Sequence, residues 1–115
     1  MLRSLLDGLT NRPEVTGAAI VSGEGLLIDH LLPPGTDGDA LAALAATVIR
    51  QVTELGSAAR LGDPSTAILE FAGGPAILGM VDGGAALVVM ARPDVDLGEL
   101  LYLVRRHRPA VADAL

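Results

Sequence analysis

The sequence predicts an α+β fold: an antiparallel sheet made of one hairpin and one three-strand meander, with three helices between and around them. Three observations predict it. Five short apolar runs are separated by glycine-rich turn segments, a stretch near each end repeats its large apolar residues at helical spacing, and a long Ala/Leu-rich stretch divides the hairpin from the meander. The order is α-β-β-α-β-β-β-α, and 115 residues leave room for one domain, 1–115.

Leu2, Leu5, Leu6 and Leu9 share one helical face, which places a short amphipathic helix over 2–11. Asn11-Arg12-Pro13 ends it, because the residue before a proline is pushed out of the α region. Val15–Val21 and 26–32 then flank Ser22-Gly-Glu-Gly25, the pattern of a β-hairpin, and Pro33-Pro34-Gly35 closes it.

Thr36 stands three residues before Asp39, a variant capping box at the start of a helix over 37–59, roughly 33 Å long at 1.5 Å per residue. One stripe of that helix reads Leu41, Leu44, Ala45, Val48, Val52, Leu55, and a second reads Ala42, Ala46, Ile49, Thr53, Gly56. The polar arc left over is narrow, so the helix needs cover on more than one side. Its own sheet supplies one cover; the other is open to a second copy of the chain.

Gly62-Asp63-Pro64-Ser65 is a turn, and the runs Thr66–Phe71, 76–81 and 85–91 follow, linked by Gly73-Gly74-Pro75 and Asp82-Gly83-Gly84. The 85–91 run has no polar residue, as expected mid-sheet. Thr66–Phe71 alternates more, as expected near an edge, where unpaired amides invite another chain. After Arg92-Pro93, Asp96 and Glu99 open a last helix carrying Leu97, Leu100, Leu101 and Val104. Arg105, Arg106, His107 and Arg108 fall at its far end, where positive charge suits the dipole. Pro109 is expected to stop or kink it, with a short helical tail to Leu115.

Composition narrows the function. The chain has no Cys, which removes disulfides, thiolate metal sites and thiol nucleophiles, and fits a reducing, cytoplasmic setting. All eight basic residues are Arg, so Schiff-base and Walker-A chemistry are excluded. A net charge of −6 and 2% aromatics make nucleic acid a poor partner. No apolar run approaches the ~18 residues of a membrane span.

Candidate catalytic groups reduce to ordinary structure. Asp29 and His30 are strand neighbours, whose side chains point to opposite faces. His107 reads as part of a charged helix end. Ser22-Gly-Glu-Gly25 leads into a strand and lacks the spacing of a phosphate loop. Asp37/Asp39 and Asp94/Asp96 precede helices, where carboxylates cap free N–H groups, and no calcium-loop pattern follows. Arg12 and Arg60 could reach a partner but read as solvated surface. The expectation is a chain with no catalytic residues, no cofactor and no metal.

Val15-Thr-Gly-Ala-Ala-Ile-Val-Ser-Gly-Glu-Gly-Leu26 resembles the opening hairpin of the roadblock/LC7 family, with Glu24 where that family usually has Asp. The Ala/Leu-rich helix at 40–49, the meander ending Leu87-Val-Val-Met90, and Asp96-Leu-Gly98 extend the resemblance over essentially the whole chain. It implies a profilin-like, five-stranded antiparallel sheet, order 2-1-5-4-3, with helices on both faces. It further implies a homodimer joined through the long helix and the third strand, and for bacterial members similar to the mutual-gliding-protein B group, binding to a small Ras-like GTPase.

The dimer surface then comprises Ala42, Ala46, Ile49 and Thr53 of the second helical stripe with Thr66, Ile68 and Glu70 of the edge strand. The expected function is a non-enzymatic, cytoplasmic, homodimeric regulator or adaptor of a small Ras-like GTPase, with a sensor kinase or other complex members as further partners. The alternatives are a scaffold subunit of a multiprotein complex and, less favoured by an aromatic-poor core, a small-ligand sensor.

Overall fold

The computed structural model describes residues 2–115. The chain runs α1 (Leu2–Thr10), β1 (Val15–Val21), β2 (Leu27–Leu31), α2 (Gly38–Ala58), β3 (Thr66–Phe71), β4 (Gly74–Met80), a 3₁₀ turn (Asp82–Gly84), β5 (Ala86–Ala91) and α3 (Leu97–Ala114). All neighbouring strands are antiparallel, in the order β2-β1-β5-β4-β3. The apolar 85–91 run is therefore central, and the alternating Thr66–Phe71 run is an edge.

The sheet divides two cores. On one face α1 and α3 bury Leu6, Leu9, Leu100, Val104 and Val111 against Ile20, Ile77, Leu87 and Val89. On the other, α2 buries Ala42, Ala45 and Ile49 against Ala19, Val21, Leu78, Met80 and Val88. Strand residues alternate between the two, as the period of two requires. Fully burying each Leu or Ile contributes about 1.5–3 kcal/mol, so the leucine-rich α1/α3 side carries more of that stabilisation than the alanine-rich α2 side.

The turns behave as their residues dictate. Gly25, at φ 87°, closes the first hairpin, where Ser22 N–H donates to Leu26 O at 2.8 Å. The second hairpin is tighter than Gly73-Gly74-Pro75 suggests: Phe71 pairs directly with Gly74, leaving Ala72-Gly73 as a two-residue loop.

Two details of the helices differ from the sequence reading. Asp37, one residue past Thr36, is the N-cap of α2, accepting from Ala40 N–H at 3.1 Å. A carboxylate at this position also opposes the positive end of the helix dipole. Pro109 does not end α3, which continues to Ala114. Val111 is fully buried, and its packing helps offset the lost hydrogen bond and ring clash. The Arg105–Arg108 stretch is thus mid-helix, with no role at the dipole's negative end.

Candidate interaction surface

Helix α2 approaches the first hairpin through its smallest side chains. A Cβ placed on Gly25 would sit 3.3 Å from Ala43 Cα and 3.6 Å from Ala46 Cβ, so glycine and alanine on facing elements set a close contact. The Ala43 and Ala46 flank faces the hairpin turn, which leaves the opposite flank as the outer one. The side chains on that outer flank are large. Leu41, Val48 and Val52 are half-buried against the α2-side core. Leu44 and Leu55 are 65% and 66% exposed. Leu41, Leu44, Val48 and Leu55 lie within one narrow arc of the helix at 100° per residue.

This placement corrects part of the predicted surface. Ala42 is fully buried, Ala46 is 3% exposed and Ile49 6%, so all three belong to the chain's own core and offer nothing to a partner. Of that stripe only Thr53 is exposed, and its hydroxyl donates to Ile49 O at 2.7 Å. The close approach of α2 explains the reversal. Small residues let the helix sink onto the sheet, while the Leu/Val stripe is too bulky to fit beneath it. The signal was present in side-chain size along the two stripes.

Thr66, Ile68 and Glu70 lie where expected, on an edge strand. Met80 N–H donates to Ser65 O at 3.0 Å, so Ser65 directs its carbonyl inward to β4. Alternation then turns the backbone N–H and C=O groups of Thr66, Ile68 and Glu70 outward, unpaired. Their side chains share the α1/α3 face with Ile77, which pairs with Ile68. Phe71, 64% exposed, ends the strand. Exposed leucines on α2 and an open β3 edge leave apolar surface and main-chain groups short of partners.

Polar groups elsewhere are engaged locally. Arg3 reaches across from α1 to Asp29 on β2 at 2.6 Å, and the same carboxylate oxygen accepts from His30 N–H at 2.8 Å. His107 Nδ1 lies 2.8 Å from Leu103 O within α3. Arg108 donates to Ser65 O at 2.6 Å, tying α3 to the start of β3. Two clefts of about 530 Å³ flank α3, one lined by Asp63, Asp82 and Arg108 and the other by Arg12, Glu99 and Tyr102. No helix among the described residues is long and apolar enough to cross a membrane.

Comparison with known proteins follows this geometry. The sequence profile of the Roadblock/LC7 domain matches residues 1–91, up to the end of β5. No curated protein sequence matches the chain. Among solved structures, a Roadblock/LC7 domain from Streptomyces avermitilis superposes with TM-score 0.80 at 26% identity, covering 94% of this chain and 95% of that one. Myxococcus xanthus MglB gives TM-score 0.89 at 19% identity over 96% and 91% of the two chains. Acanthamoeba castellanii profilin II gives 0.71 at 15% identity over 96% of each, which bears out the profilin-like architecture.

Proposed function

The chain belongs to the roadblock/LC7 domain family, and from that premise we propose that it works as a homodimeric, non-enzymatic adaptor of a small Ras-like GTPase. One observation carries the dimer: Leu44 and Leu55 of α2 are exposed, and the β3 edge leaves its outward amides unpaired. A second copy related by a two-fold axis satisfies both at once, joining edge to edge and covering each leucine stripe with the other. A single copy hides neither.

The GTPase reading rests on the likeness to the mutual-gliding-protein B group. Such a dimer acts by conformation. It binds one nucleotide state of the switch region better than the other, and shifts the population by that difference in affinity.

The experiment has two steps. Light scattering on the purified chain should return twice the monomer mass. The dimer is then mixed with a Ras-like GTPase encoded beside it, loaded with GDP or a non-hydrolysable GTP analogue. Binding to one state and a changed turnover rate are expected. Binding without a change in turnover would assign a scaffold, and binding in neither state would overturn the GTPase reading.

A further inference from the structure

We infer that two copies join at β3 in a single register centred on Ile68, locked by Glu70 of each copy against Arg108 of the other. This inference rests on the dimer proposed above. The outward-facing residues of β3 are Thr66, Ile68 and Glu70. An antiparallel two-fold seam that engages all three on both copies must place Ile68 opposite its own counterpart, and Thr66 opposite the second copy's Glu70.

Three independent features converge on that pairing. First, the Thr66 hydroxyl is enclosed by its own chain and offers no polar atom to the seam, so a carboxylate facing it must find its partner beside Thr66. Second, Thr66 pairs with Gly79 on β4, and a Cβ on Gly79 would lie 3.5 Å from Arg108 Cδ, so the Arg108 side chain runs beside Thr66. Its guanidinium donates to Ser65 O and has no carboxylate partner among the described residues. Third, Glu70 is exposed and unpaired there, and its side chain shares the face of Thr66. Across the seam the Glu70 carboxylate accepts from Arg108, satisfying both groups. The two-fold axis makes this contact twice.

The register also confers selectivity for a like chain. An edge strand without an acid at this position leaves Arg108 unpaired, whereas the apolar stripe of α2 alone would accept many partners.

Charge exchange tests it. Glu70→Arg places like charges opposite each other twice, as does Arg108→Glu, and each variant alone should self-associate about tenfold or more weakly than wild type in sedimentation equilibrium. An equimolar mixture should form a heterodimer near wild-type affinity, because both seams then carry one Arg and one Glu. Variants that self-associate like wild type, or a mixture without a heterodimer, would overturn the register while the dimer stands. A monomeric wild type removes dimer and register together. Should Arg108→Glu not fold, judged by circular dichroism, the cycle Glu70→Gln, Arg108→Gln and the double variant decides: non-additive losses support the pair and additive losses overturn it.

Discussion

Gly56→Ala sets two calculable effects against each other. Gly56 lies inside α2, where alanine normally gains about 1 kcal/mol over glycine. Here the added Cβ would overlap the carbonyl oxygen of Gly62, so something must shift. The obstacle is backbone, and it cannot swing aside as a side chain would. The segment 59–62 is tied to the helix by Ala59 N–H to Leu55 O at 2.9 Å and Leu61 N–H to Gly56 O at 2.8 Å. Overpacking of this kind costs about 1–3 kcal/mol. The balance is a net loss of about 1 kcal/mol, or about 4 °C in Tm for a chain of this size. Gly8→Ala is the control, because nothing lies within 4 Å of its added Cβ and the residue is exposed in α1. It should stabilise by about 0.5–1 kcal/mol. Urea titrations followed by circular dichroism, at one protein concentration, give both midpoints. Two stabilised variants of similar size would show that the 59–62 segment yields freely, and would refute the claim that its backbone cannot move aside.

Further outcomes follow from the same packing. Leu44→Arg and Leu55→Arg should abolish self-association by light scattering while leaving a folded monomer by circular dichroism, since both side chains are mostly exposed. Ile49→Ala, at a site 6% exposed, should cost about 2–5 kcal/mol in denaturant titration. Arg60 is the non-glycine residue held at positive φ, 58°, just past the C-cap Ala59, so Arg60→Gly should raise the urea midpoint by about 1 kcal/mol. Asp37→Ala removes the side-chain bond to Ala40 N–H and should lower stability by about 1 kcal/mol, whereas Thr36→Ala should change little.

The sheet was legible because its signals are local. Val15–Val21 and Thr66–Phe71 have the predicted bounds, and the turn glycines act within a few residues of their own position. The apolar 86–91 strand reports its central place through its own composition, since a strand buried on both faces tolerates no polar residue. The last turns of α3 were less legible. Pro109 carries a strong local stop, and the burial of Val111 that helps overcome it comes from residues distant in sequence.

Half of the candidate surface was misplaced for a related reason. Periodicity locates the apolar stripes of α2 but is silent on which one meets the sheet. By itself the sequence determined the order of elements, the sheet-facing alternation and an excess of apolar helix surface, because each depends on residues a few positions apart. Only the tertiary structure decided that Ala42, Ala46 and Ile49 lie inside and that Leu44 and Leu55 lie outside. That choice depends on how closely two backbones can approach at Gly25 and Ala43, a steric fit between segments far apart in the chain.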